Sequence, residues 1–208
     1  MRDVLISDFG GVLTTPLQAG FVAYQEEAGV SLEELGAAMA RAADEHGDLP
    51  LFMLERGEIT EADFWASLDR HTGAHFDLDR LRELFFECLR PNTPMIELVR
   101  ELRGRGIRAA LLTNNVREWE PLWRGKLPEV DELFEVIVDS AFVGLRKPDP
   151  AIYSLTLERL GGVAAERCVF VDDLDANCET ARELGMTAIR FESADQAIPA
   201  IREAFSPN

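Results

Sequence analysis

Cysteine is scarce in this chain: three in 208 residues, Cys88, Cys168 and Cys178. The number is odd and the spacing is not that of metal ligands. This excludes a disulfide scaffold, and the thiols read as free in a reducing cytosol. Histidine is equally scarce. His46, His71 and His75 show no metal spacing either. Positive charge is short: 21 Lys and Arg stand against 38 Asp and Glu, for a net charge of −17. Such a chain repels a phosphate backbone or an anionic membrane surface, so neither nucleic acid nor membrane is an expected partner. Long apolar runs are missing, none nearing the roughly 18 residues of a membrane span. The N-terminus lacks the apolar core and small-residue cleavage site of a signal peptide. A cytoplasmic location is the expectation.

What is present is a core-forming composition, 47% hydrophobic, enough for one sizeable core and a smaller appended unit. Val4-Leu5-Ile6-Ser7 reads as a buried strand that ends in Asp8. Phe9, Gly10 and Gly11 follow, a tight turn suited to glycine. From about Leu17 to Arg90 the pattern is helical. Ser31 to Glu34 is a capping box, with Leu32, Leu35, Met39 and Ala42 on one face. Thr60 opens a helix with Phe64 and Leu68 on one side, and Leu78, Leu81, Leu84 and Phe85 mark another. This reads as an inserted unit with its own apolar seam. After Thr93-Pro94 strands and helices alternate. Strands are predicted at Ile107–Leu112, Val136–Val138, Val169–Val171 and Thr187–Phe191. The expected fold is α/β: a core of residues 1–15 and 94–208 around a largely parallel sheet, and a helical unit of residues 16–93 inserted after the first strand. Trp119 and Trp123, four apart, read as packing residues.

In such folds ligands sit beyond the carboxyl ends of the strands. The polar residues there are Asp8, Thr113-Asn114 and Asp172-Asp173, with Lys147 at a loop-to-helix junction. This set suits phosphoryl transfer. A carboxylate attacks phosphorus and forms an aspartyl-phosphate that water hydrolyses. Two anions must approach, so a divalent cation is needed, and Mg2+ suits hard oxygen ligands. Asp8 and one or both of Asp172 and Asp173 offer such oxygens. Thr113 and Asn114 offer a hydroxyl and backbone N–H groups for phosphate oxygens. Lys147 offers a point charge that also favours the ionised form of Asp8.

These four pieces in this order resemble the haloacid dehalogenase (HAD) superfamily. Asp8-Phe9-Gly10-Gly11-Val12 is similar to its nucleophile motif, Leu111 to Asn114 to its second, Lys147-Pro148 to its third, and Val171-Asp172-Asp173 with Asn177 to its fourth. More narrowly, Gly144 to Pro148 and Asp172 through Met186 resemble the N-terminal phosphatase domain of soluble epoxide hydrolase and its free-standing bacterial relatives. The resemblance implies a Rossmann-like core with a helical cap. It makes Asp8 the nucleophile and a magnesium ligand, the Gly10 carbonyl a second ligand and Asp173 a third. Asp172 and Asn177 would stand behind them, with Asp172 joining Asp8 and Lys147 in catalysis. Phe9, Gly10, Thr113, Asn114 and Lys147 would hold the phosphoryl group of a small phosphorylated substrate.

One departure stands out. Phosphatases of this family usually carry a second aspartate two residues after the nucleophile, as proton donor. Here that position is Gly10, a loss of roughly 10²–10⁴-fold on a poor leaving group. Glu45 and His46 are candidate substitutes. Because of Gly10, two other functions stand as alternatives: a 2-haloacid dehalogenase-type hydrolase, and a binding or regulatory module without turnover. The acid pair Asp172-Asp173 argues for a cation and so against the dehalogenase. No convincing lysine in the insertion supports a phosphonatase, and a mutase would need the missing aspartate.

Overall fold

The structure, a computed structural model, describes residues 2–16, 20, 22–23, 31–73 and 77–206, without the side chains of Leu32 and His46. His75 and most of the expected helical stretch between Leu17 and Ser31 lie outside the described residues.

The chain begins with β1 (Val4–Ser7) and then crosses the insertion: α1 (Leu32–His46), α2 (Pro50–Glu55), α3 (Glu61–Thr72) and α4 (Leu78–Cys88). Then come α5 (Thr93–Gly104), β2 (Arg108–Thr113), α6 (Glu120–Lys126), α7 (Val130–Leu133), β3 (Val136–Asp139), α8 (Ser140–Val143), α9 (Pro150–Arg159), β4 (Cys168–Asp172), α10 (Asp175–Glu183), β5 (Thr187–Arg190) and α11 (Ala194–Ala204). Several helix starts are those that polar residues dictate. Ser31 and Thr60 close full capping boxes with Glu34 and Asp63, and Asp77, Asp149 and Ser193 accept from first-turn N–H groups. At α5 Asn92 takes the cap position without a side-chain bond, and Pro94 falls in the first turn. Among the described residues no helix is long and apolar enough to cross a membrane.

The five strands form one parallel sheet in the order β3-β2-β1-β4-β5. β1 is central, and its four residues are all buried. Its alternation explains the unbroken apolar run. Leu5 packs with Ala109, Leu111, Val169 and Val171 on one face, while Val4 and Ile6 pack with Ala110, Leu112 and Phe170 on the other. Both faces are covered by helices, so neither tolerates polar residues. Each such aliphatic or aromatic side chain contributes about 1.5–3 kcal/mol on burial.

The two ends of the insertion are tied side by side. Thr14 bridges Pro91, the Thr15 N–H donates to Arg90 O at 2.9 Å, and the Asn92 N–H donates to Leu13 O at 2.8 Å. The expected separate seam is not what forms. Leu35, Leu54, Phe64, Leu68, Leu81 and Phe85 belong to the same apolar cluster as Leu5, Leu98 and Trp123. Buried Glu61 reinforces that junction. It accepts from Arg82 Nε at 2.7 Å and from Trp119 Nε1 at 2.9 Å, while the Phe85 and Phe86 rings lie 5.3 and 5.5 Å from Trp119. Both tryptophans are therefore packing residues. The loop after α2 docks on α8 through Gly57, which has φ +66; a Cβ there would lie 2.3 Å from Ala141 O.

Candidate active site

β1 ends at Ser7, and the Asp8 N–H donates to Val171 O at 2.9 Å, which holds Asp8 level with the end of β4. The chain then turns on itself. The Phe9 ring packs 5.1 Å from Trp123, and Phe9 O accepts from the N–H groups of Leu13 and Thr14 at 2.9 and 3.2 Å. Gly11 adopts φ +79, and a Cβ built on it would lie 2.3 Å from Asp173 Oδ2. Only glycine lets that carboxylate approach the turn.

Lys147 arrives from the loop between α8 and α9. Asn114, just past β2, clamps its peptide: the Lys147 N–H donates to Asn114 Oδ1 at 2.8 Å, and Asn114 Nδ2 donates to Lys147 O at 3.0 Å. The Lys147–Pro148 peptide is cis. So held, Lys147 Nζ lies 2.8 Å from Asp8 Oδ1 and 2.6 Å from Asp172 Oδ2, with Lys147 1% exposed and Asp172 fully buried. The other oxygen of Asp172 accepts from the Leu174 N–H and from Asn177 Nδ2, both at 2.9 Å. Both Asp172 oxygens are thus committed within the protein. Asp8 and Asp173 instead line a cavity of about 260 Å3 with Gly10, Asn114, Lys147 and Asn177.

Three carboxylates share one ammonium here. Burial pushes the Asp8 carboxyl up to about 7; Lys147 opposes this, and the Asp172 and Asp173 charges add to it. Burial and Asp172 raise Asp173 as well. Burial also works against the charge on Lys147, but Asp172 and Asp8 outweigh it and raise that group. The expectation that Lys147 keeps Asp8 ionised is therefore met only in part, because one cation is divided between two acids in a low-dielectric site. Oxygens of Asp8, Asp172 and Asp173 lie within 4.8 Å of one another. A cluster of hard oxygen donors with excess negative charge can hold a metal ion, which would favour the ionised forms of Asp8 and Asp173.

A model of the haloacid dehalogenase-like hydrolase family matches residues 3–185. The chain belongs to that family. It is 31% identical over 198 residues to the sesquiterpene phosphatase astK of Aspergillus oryzae, covering 89% of this chain and 88% of that protein. It is 27% identical over 207 residues to the bifunctional epoxide hydrolase 2 of Rattus norvegicus, covering 92% of this chain but only 36% of that much longer protein. In fold it is similar to a HAD-like family hydrolase from Porphyromonas gingivalis, at a TM-score of 0.79 and 21% identity, with 100% of both chains covered. The protein is thus a HAD-family hydrolase, an enzyme with the α/β Rossmann-like fold of its family.

Within that HAD site the four sequence segments meet. Asp8, Lys147, Asp172, Asp173 and Asn177 are joined by direct contacts or share one cavity. Thr113 is buried at the end of β2, and its hydroxyl donates to Asn114 O at 3.3 Å. The Asn114 amide is spent on the Lys147 peptide, so it acts on the loop. Phe9 gives its ring to the core. Glu45 is exposed, and its Oε2 lies 3.4 Å from His71 Nε2. The side chain of His46 lies outside the described residues. Two charged cavity residues have no role assigned from sequence: Glu55, the last residue of α2, and Arg146, inside the Gly144 to Pro148 stretch and next to Lys147. A glutamate in the second turn of a short helix looks like any solvated charge until its helix is docked.

Proposed function

We propose that this HAD hydrolase is a phosphoric monoester hydrolase that acts on a small organic phosphate through an aspartyl-phosphate on Asp8. The observation that carries this reading is the placement of Asp8. Its carboxylate lies 2.8 Å from Lys147 Nζ, beside Asp173 and open to a cavity, at the end of the central strand. The name of the astK relative, a phosphatase, supports it. A neighbouring cleft of about 770 Å3 shares Asp173 and Pro16 with this cavity, so the body of a substrate has room beyond the phosphoryl group.

In this reading Asp8, Asp173 and the Gly10 carbonyl would hold Mg2+, which when bound would supply the charge that lets a carboxylate approach a phosphoryl group. The chain's own residues do the rest. An Asp8 oxygen bonds to phosphorus, and the ester P–O bond breaks, its electron pair leaving with the alcohol oxygen. A water hydroxyl then bonds to phosphorus and the P–O bond to Asp8 breaks, which returns the carboxylate and releases inorganic phosphate. Lys147 balances charge on the phosphoryl oxygens. Asp172, held by Leu174 and Asn177, keeps Lys147 oriented. Residues 16–93 act as a cap over the site.

The test is phosphate release from p-nitrophenyl phosphate. Turnover is expected with Mg2+, background after chelation by EDTA, and recovery when Mg2+ is restored. A folded protein that binds Mg2+ yet releases no phosphate would refute the reading. Gly11→Ala probes the metal directly. It is expected to weaken Mg2+ binding roughly 10–100-fold, because the new methyl group displaces the Asp173 carboxylate. It should also cost about 1–2 kcal/mol of stability from the left-handed backbone. Calorimetric Mg2+ titration and urea denaturation read the two effects, and unchanged affinity would argue against Asp173 as ligand.

A further inference from the structure

Gly10 leaves the leaving group without its usual proton donor, and the cavity itself suggests a replacement. Among the described residues three carboxyl groups line it: Asp8, Asp173 and Glu55. The first two are engaged at the phosphoryl and metal end. Glu55 comes from the insertion, at the C-terminal end of α2. Three contacts fix it there. Arg146 Nε lies 2.6 Å from Glu55 Oε2, with both side chains 17% exposed. The Arg146 guanidinium is itself stacked 3.8 Å over the Phe52 ring, one turn back on the same helix. Gly57, two residues on, brings the backbone against Ala141 with no space for a side chain. The carboxyl is thus partly buried and anchored through one oxygen, in the lining of the cavity it shares with Asp8.

Resting on the phosphatase reading, we propose that Glu55 is the proton donor to the departing alcohol in this enzyme. As the ester P–O bond breaks, the Glu55 O–H proton passes to the alcohol oxygen, leaving a Glu55 carboxylate and a neutral alcohol. In hydrolysis the carboxylate takes a proton from the attacking water as its oxygen bonds to phosphorus, and Glu55 is restored. Burial raises the Glu55 carboxyl above its ordinary range, against the opposing charges of Arg146, Lys147 and Arg56. Arg146 then stabilises the carboxylate formed on proton release. This assignment makes the insertion part of the chemistry, because the acid reaches the substrate only while α2 is docked.

The experiment compares Glu55→Gln with the wild type on two aryl phosphates of similar shape, p-nitrophenyl phosphate with a good leaving group and phenyl phosphate with a poor one. The readout is kcat/KM at saturating Mg2+, which covers only the steps up to alcohol release. Glu55→Gln is expected to lower kcat/KM for phenyl phosphate roughly 10²-fold or more, and for p-nitrophenyl phosphate less than about tenfold. Retained turnover of the nitrophenyl ester certifies a folded, metal-loaded site. Equal losses on both esters would make Glu55 a structural partner of Arg146 and overturn the assignment, as would an unchanged phenyl phosphate rate. A wild type inactive on both esters would overturn the phosphatase reading itself.

Discussion

Asp8→Asn is expected to lower turnover at least about 10⁴-fold, the scale seen when a covalent nucleophile is removed and only binding remains. The amide is nearly the same shape, so it fits the β1 end and can still face Lys147. It cannot form the acyl phosphate. Stability should hold or rise in the metal-free protein. Asp8 is only 8% exposed, and burial lifts its carboxyl to about 7, so the wild-type charge is kept at a cost. The sign is definite. A carboxyl raised in the folded state contributes stability below its unfolded pKa and loses it as pH rises through the folded value. Metal-free wild type is therefore expected to weaken between about pH 4 and about pH 7, and Asp8→Asn to weaken less. Phosphate release and urea denaturation across that range check both parts. Activity at more than a few per cent of wild type would remove Asp8 from the nucleophile role.

Lys147→Met is expected to be the most destabilising single change at the site, by about 3–5 kcal/mol at pH 7 without metal. The methionine fills similar space but leaves Asp8 and Asp172 without the ammonium now 2.8 and 2.6 Å away. Both are buried, and Asp173 adds a third charge nearby. As pH falls toward about 4, the ordinary value of an unfolded carboxylate, the cost of the missing ammonium at Asp8 disappears and the difference from wild type should shrink. Saturating Mg2+ should recover part of the loss by replacing the missing charge, while turnover stays low because nothing balances the phosphoryl oxygens. Denaturation curves at pH 4 and pH 7, with and without Mg2+, decide this. A variant as stable as wild type at pH 7 would show that Lys147 is not the charge that holds the carboxylates together.

The parallel sheet was legible because both of its faces are buried, which writes Val4 to Ile6, Ala109 to Leu112 and Val169 to Val171 as unbroken apolar runs. The capping box at Ser31 and the helix start at Thr60 were legible because they act within four residues. The strand-end polar residues were legible because the parallel order carries every carboxyl end to one edge. Less legible were features that depend on what the insertion touches. Its seam merges with the core through Phe85, Trp119 and Glu61, and the periodicity of a helix face does not say whether its partner is another helix of the insertion or the sheet.

The same division holds within the site. Sequence alone determined that Asp8, Thr113-Asn114, Lys147 and Asp172-Asp173 end strands or enter loops at one edge of an α/β sheet, and that Gly10 offers no proton. Tertiary structure decided how they share the work. Asp172 has both oxygens bonded and Asp173 faces Gly11 and the cavity, a difference that two adjacent identical residues cannot show. Asn114 braces Lys147 across 33 residues of chain. Glu55 reaches the cavity only because Gly57 docks α2 against α8 and Arg146 meets it 91 residues away. Local sequence fixes backbone form and the chemistry on offer. Which charges meet, and which remain open to a ligand, depends on distances between segments that only the folded packing sets.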